Sequence, residues 1–129
     1  MRKRFSAAWI RSSQPRKQRK YRYNAPLHTK QKFIRAHLSK DLQKKYTVRS
    51  FGLRKGDRVK VVRGQHKGKS GKVERIDIKR EKIYITGIDL TKKEGSKVFI
   101  PLHPSKLLLQ EFNLDDKKRR EKLKQLEIK

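Results

Sequence analysis

The first 24 residues of this chain hold nine Lys and Arg and not one Asp or Glu, and that imbalance limits what the chain can fold into. A segment this basic, with few large apolar groups, cannot offset its ordering entropy by burial. Residues 1–24 are therefore expected to be disordered without a partner. The imbalance continues: Asp41 is the one acid among residues 25–50, against seven basic residues, and the whole chain carries a formal net charge of +27. Self-repulsion on that scale destabilises a compact monomer. A polyanion relieves it, and nucleic acid is the leading candidate. At 129 residues and 33% hydrophobic content, the chain suits one modest domain with appendages.

Several classes are excluded early. The chain has no Cys, which removes disulfides, thiolate zinc sites and Cys nucleophiles. No apolar run approaches the roughly 18 residues of a membrane span. The apolar stretch Phe5 to Ile10 behind Arg2, Lys3 and Arg4 is too short for a secretory signal. An organellar transit peptide also fits an acid-free, Arg-rich start, but here the basic run continues too far into the chain. His28, His37, His66 and His103 lack metal-ligand spacing with one another or with acids. Helix capping explains Ser39 and Asp41, and no carboxylate pair sits in an apolar setting. The expectation is a protein without catalytic residues, metal, cofactor or small-molecule substrate.

The arm itself interleaves cations and aromatics in Arg16-Lys17-Gln18-Arg19-Lys20-Tyr21-Arg22-Tyr23. Arg and Tyr offer flat faces that stack on unpaired bases, while Lys neutralises phosphate. A solvated tail or localisation signal is the alternative. From Pro26 the pattern changes, and residues 25–50 read as two short helices. Phe33, Ile34, His37 and Leu38 fall at helical spacing with Thr29 as N-cap. Ser39 reads as a second N-cap, with Asp41 in the first turn and Leu42 and Tyr46 at i, i+4.

Residues 51–112 read as strands. Val59 and Val61 alternate with Arg58 and Lys60, Ile76 and Ile78 with Asp77, and Ile83 and Ile85 with Tyr84. Val98 to Ile100 and Leu107 to Leu109 form two more. Gly64-Gln65-His66-Lys67-Gly68, Gly87, Glu94-Gly95-Ser96 and His103-Pro104-Ser105 supply the turns. Val73 and Ile76 break the period of two, which predicts a β-bulge near Glu74 and Arg75. Five short strands point to a small, partly open barrel. Its expected core includes Leu53, Val59, Val61, Val73, Ile76, Ile83, Ile85, Ile88, Phe99 and Leu108. Residues 113–129 read as a charged, solvated or RNA-contacting helix or tail.

The strongest local signal is Arg63-Gly64-Gln65-His66-Lys67-Gly68-Lys69-Ser70-Gly71-Lys72. Gly68-Lys69-Ser70 matches the end of a nucleotide-binding P-loop, but Gly64 leaves three residues where that motif needs four. A P-loop also opens a helix, whereas Val73 to Ile78 reads as strand. The better reading is a hairpin tip whose glycines permit positive φ and close backbone approach to phosphate, ringed by Arg63, His66, Lys67, Lys69 and Lys72. The alternative is an ordinary hairpin whose Lys residues face solvent.

Gly56-Asp57-Arg58-Val59-Lys60-Val61-Val62-Arg63-Gly64, with Lys67-Gly68 and Gly71-Lys72-Val73, resembles a KOW motif. That motif is shared by ribosomal proteins and transcription elongation factors. Around it, Asn24 to His28, His37 to Leu42, Lys45-Tyr46, Val48 to Ser50, Arg54 to Asp57 and Ile100 to Lys106 follow in order. The succession, over roughly residues 14–118, resembles the large-subunit ribosomal protein family numbered twenty-four in the universal scheme. It is the archaeal and eukaryotic form, and the compact Gly68 to Gly71 spacing looks archaeal. Phe51-Gly52-Leu53 departs from the family's small apolar and proline pattern.

The resemblance implies a mainly β protein: a five-stranded SH3-like KOW barrel with a basic N-terminal extension, two short helices before the barrel and a short C-terminal helix. It implies large-subunit rRNA and neighbouring large-subunit proteins as partners and no membrane. It further implies a place in the cytoplasmic ribosome near the polypeptide tunnel exit, and a role in early subunit assembly. The expected RNA-contacting residues fall in three groups. The arm and first helix supply Arg16, Lys17, Arg19, Lys20, Tyr21, Arg22, Tyr23, His28, Lys30, Lys32 and Arg35. The hairpin supplies Arg63, Gly64, His66, Lys67, Gly68, Lys69, Ser70, Gly71 and Lys72. Lys92, Lys93 and Lys97, with His103, Ser105 and Lys106, complete the set. A KOW transcription elongation factor would need a further polymerase-binding domain. A nonspecific nucleic-acid-binding protein would explain the charge but not the ordered signatures.

Overall fold

Among the described residues, two helices fall within residues 25–50 as expected, a third occupies the arm, and the second half of the first expected helix is a strand. The computed structural model describes Phe5, Ser6, Trp9 and residues 12–127; the basic residues Arg2, Lys3, Arg4 and Arg11 lie outside them. Helix α1 (Pro15–Asn24) has Pro15 at its N-terminus, where the missing N–H costs nothing, and is built from the helix formers Arg, Lys and Gln. None of its residues is buried. Helix α2 (Leu27–Phe33) starts from Pro26 as N-cap, not from Thr29, whose N–H instead bonds the Pro26 carbonyl at 3.0 Å. It stops at Phe33, because Arg35–Leu38 is strand β1, with Ala36 and Leu38 buried and Arg35 and His37 outward. The helical spacing seen in Phe33, Ile34, His37 and Leu38 thus joins the end of one helix to one face of a strand. Helix α3 (Lys40–Tyr46) does begin as the sequence indicates: Ser39 Oγ accepts from the Leu42 N–H at 3.4 Å.

Seven further strands follow: β2 (Ser50–Gly52), β3 (Arg58–Val61), β4 (Ser70–Asp77), β5 (Lys82–Ile85), β6 (Asp89–Thr91), β7 (Lys97–Phe99) and β8 (Leu107–Glu111). Helix α4 (Lys117–Glu127) ends the described chain. Six strands form one open mixed sheet in the order β2-β1-β8-β3-β4-β5, and β6 and β7 form a separate ribbon. The β1–β8 pair is parallel and the others are antiparallel. The expected five strands become eight because β1, β2 and β6 are three or four residues long and carry no alternation that stands out locally. The expected β-bulge is present: the β4–β5 register shifts between Val73 and Arg75.

The buried cluster takes in Ile34, Leu38, Leu53, Val59, Val61, Val73, Ile83, Ile85, Ile88 and Leu109. Two of the expected core positions lie outside it, and Ile76 packs against it only partly buried. In β8 it is Leu107 and Leu109 that point inward, which turns Leu108 to the other face. Phe99 lies on the outer ribbon and is 42% exposed.

Helix α4 is not the solvated tail that its charge suggests. Leu123 and Arg119 are buried, and Lys45 Nζ reaches Glu127 at 2.9 Å to tie α3 to its last turn. That carboxylate holds the Lys45 ammonium above its usual value, chiefly through their hydrogen bond. Arg119 meets the fully buried Asp57 in a two-pronged pair: Nη1 donates to Oδ1 at 2.6 Å and Nη2 to Oδ2 at 2.7 Å. The Phe51 that departs from the family pattern stacks edge-on with Phe112 at 5.3 Å, and the Arg119 guanidinium lies over both rings.

Candidate nucleic-acid interface

The β3–β4 hairpin carries the most concentrated set of exposed cations around unspent backbone donors. Its strands pair Arg58 with Lys72, Val59 with Gly71 and Lys60 with Ser70. Inward Val59 and Val61 leave Arg58 and Lys60 on the outer face. Gly68 N–H bonds the Val61 carbonyl and Val61 N–H the Lys69 carbonyl, both at 2.8 Å, which closes the neck of the loop. Within it, Lys67 N–H reaches the Gly64 carbonyl at 3.1 Å. Gly64 and Gly68 have φ of 93° and 92°, a region that a side chain penalises. Among the described residues, the N–H groups of Arg63, Gly64, Gln65 and His66 have no protein acceptor. Four consecutive free amides at an exposed tip, ringed by Arg63, Lys67, Lys69 and Lys72, can receive the oxygens of a phosphate chain. Gly71 serves differently. A Cβ there would meet the Thr86 carbonyl and lie 2.7 Å from Ile85 Cγ2, so this glycine lets β4 pack against the end of β5.

Beside the hairpin lies the 3-10 turn Pro104–Lys106. Val62 N–H bonds the Lys106 carbonyl at 2.9 Å, and Lys106 Nζ lies 3.9 Å from the position of a Cβ on Gly64. Lys106 therefore joins the hairpin cluster. His103 turns elsewhere. Its Nδ1 accepts from the Ser105 N–H at 3.3 Å, and its Nε2 lies 3.4 Å from Glu81. Glu81 also meets Arg22 of α1 at 3.4 Å, so one half-buried carboxylate binds two of the expected RNA-contacting residues.

The arm presents Arg16, Lys17, Arg19 and Lys20 to solvent. Its two tyrosines differ. The Tyr21 ring is half-buried, 4.5 Å from Trp9 and 5.0 Å from Phe5 between centroids, with Phe33 edge-on at 6.3 Å. Tyr23 is 82% exposed, and its carbonyl accepts from Lys30 Nζ at 3.0 Å. His28 and Lys32 are exposed on α2, and Arg35 on β1 donates to the Ser50 carbonyl at 3.1 Å. Lys92, Lys93 and Lys97 sit on the β6–β7 ribbon, outside the main sheet, and Lys97 lies 3.9 Å from Asp89.

Lys60 was outside the expected set although it is exposed directly opposite Ser70. The alternation of β3 carries the signal that places it outward. Among the described residues, no group of three or more His, Asp or Glu side chains is placed to hold a metal ion. No described helix is long and apolar enough to cross a membrane.

Comparison with known proteins gives a consistent result. A family model described as covering the eukaryotic ribosomal proteins L26 and their archaeal L24 counterparts matches residues 12–125. A protein of Methanosphaera stadtmanae named large ribosomal subunit protein uL24 is 47% identical over 112 residues, 87% of this chain and 96% of that one. The protein of the same name from Korarchaeum cryptofilum is 43% identical over 120 residues, 93% of this chain and 92% of its own. A third, from Methanocella arvoryzae, is 48% identical over 110 residues, 85% of this chain and 89% of its own.

Proposed function

Because the chain belongs to this ribosomal protein family, we propose that it is a structural constituent of the large ribosomal subunit that binds large-subunit rRNA. It is not an enzyme, and its place of work is the cytoplasmic ribosome. The hairpin tip from Arg63 to Lys72 carries the reading: four free amides and a ring of cations with no carboxylate among them. The KOW resemblance implies an SH3-like barrel over residues 51–112, a reading supported by the neighbouring order β8-β3-β4-β5 and the Ile83–Leu102 bridge. The arm (residues 1–24) completes its ordering on RNA, since α1 buries none of its residues and is held by the half-buried Tyr21 ring and the Arg22–Glu81 pair. Residues 25–50 link the arm to the domain of residues 51–112, and the charged C-terminal segment packs on that domain through α4, whose Arg119 and Leu123 are buried. Phosphate contacts dominate affinity and fix position, while the exposed Tyr23 adds stacking.

As a large-subunit component it touches neighbouring ribosomal proteins, acts early in assembly and lies near the tunnel exit. The test is equilibrium binding of the full chain to large-subunit rRNA over a salt series. Log affinity should fall steeply and linearly with log salt. Affinity indifferent to salt would contradict the reading.

A further inference from the structure

A second basic surface lies away from the hairpin and the arm. It is an open cleft of about 1250 Å³ between α2, the turn before β3, the outer half of β4 and the start of α4. No residue from Arg63 to Lys72, and none of α1, lines it. Three of its cations are already neutralised: Lys55 bonds Glu74 at 3.3 Å, Arg54 meets Asp116 at 3.0 Å, and Arg119 is paired with Asp57. Others are not. Lys32, Arg75, Lys118 and Lys122 face the cleft with no carboxylate within 4.0 Å among the described residues.

The β4 bulge gives the cleft its shape. By shifting register between Val73 and Arg75, it leaves the successive residues Glu74 and Arg75 both exposed, and both line the cleft. A bulge beside a site commonly re-aims a side chain in this way. The Arg75 guanidinium lies 4.3 Å from the centroid of the Tyr84 ring, which is itself not part of the wall. A guanidinium braced on an aromatic ring is a flat, charged platform, and Ile76 and Ile78 add partly buried apolar surface elsewhere in the wall.

We propose that this cleft is a second RNA site, one that takes an unpaired nucleotide. The base stacks on the Arg75 guanidinium, and Lys32, Lys118 and Lys122 hold the flanking phosphates. A flat cationic platform matches a base face, whereas an acidic peptide needs charge alone. The inference rests on the rRNA-binding reading above, uses no residue of the arm or the hairpin, and shares only Lys32 with the RNA contacts expected from the sequence.

The test uses the full chain and archaeal large-subunit rRNA transcribed with 4-thiouridine. After ultraviolet cross-linking, attached peptides are mapped by mass spectrometry. Attachment is expected within residues 74–78 or 118–122, in addition to the arm and hairpin. Arg75→Lys keeps the charge and loses the plane, so it should weaken binding roughly fivefold, within the span of one lost stacking contact, and leave the salt slope unchanged. Melting temperature checks that the variant is folded. Lys118→Gln with Lys122→Gln is a second, independent variant and should lower the slope instead. Cross-links confined to arm and hairpin, with wild-type affinity in both variants, would overturn the cleft site and leave the rRNA reading intact. Attachment of the cleft to a neighbouring subunit protein within the assembled particle would overturn it in favour of a protein partner. No rRNA binding by the unaltered chain would bring down both.

Discussion

Replacing Arg119 by Met should destabilise the RNA-free protein more than any change at an exposed cation. Arg119 is 4% exposed and Asp57 not at all, so solvent does not screen the pair. The guanidinium gives two bonds to the carboxylate and two more, each 3.0 Å, to the carbonyls of Asn113 and Gly52. Met fills similar space but leaves the carboxylate with only the N–H donors of Arg54 and Asn113, both at 2.8 Å. Removing one partner of a buried pair costs about 3–5 kcal/mol. The two amides that remain favour the lower half of that range. At about 4 °C per kcal/mol for a chain of this size, the melting temperature should drop by about 12–16 °C. Urea denaturation followed by circular dichroism reads the effect, with Asp57→Leu and the double variant completing a cycle. The double variant should cost less than the sum of the singles by at least about 2 kcal/mol, because neither charge is then stranded. Single costs below about 1 kcal/mol, or additive costs, would refute the claim that this pair clamps α4 to the sheet.

Other perturbations separate the structural glycine from the conformational one and the cations proposed to face RNA from the rest. Gly71→Ala should cost about 2–3 kcal/mol in a denaturant titration, since the new Cβ meets backbone at Thr86. Gly68→Ala, with nothing within 4 Å but a φ of 92°, should cost only about 1 kcal/mol, and equal costs would contradict the distinction. Replacing Lys67, Lys69 and Lys72 together by Gln should weaken rRNA binding across sequences and reduce the salt slope by something under about one unit per lost contact. Unchanged affinity would mean that the hairpin tip faces solvent. Deleting residues 1–24 should likewise lower the slope while leaving the sheet's circular dichroism intact, and an unchanged slope would rule out the arm as an RNA contact.

Local pattern revealed what local forces decide. The alternation of Val59 and Val61, the broken period at Val73 and Ile76, and the Ser39 cap are all written within a few residues, and each appears in the structure. What depends on distant chain was hidden. Strand β1 exists because it pairs in parallel with β8, about 70 residues on, and Ala36 is too small to mark its inward face. Asp57 and Arg119 stand 62 positions apart, so a turn acid and one cation among many gave no sign of meeting. The arm's composition argued against order, yet Pro15 and the run of Arg, Lys and Gln carry an ordinary helix signature in α1. Of the candidate site, the hairpin was legible from its glycines and lysines. The engagement of His103 and Arg22 by Glu81 was not, because it brings a turn residue to two elements remote in sequence.

This chain is an integral part of the large ribosomal subunit, and rRNA is proposed to hold it there. Sedimentation of a cell extract through sucrose gradients, first in moderate and then in high salt, tests this most directly. The chain should travel with the large subunit at one copy per particle and stay there after the high-salt wash, as the proposed rRNA contacts of the arm and the hairpin require. Release to the top of the gradient, or co-sedimentation with RNA polymerase, would contradict it.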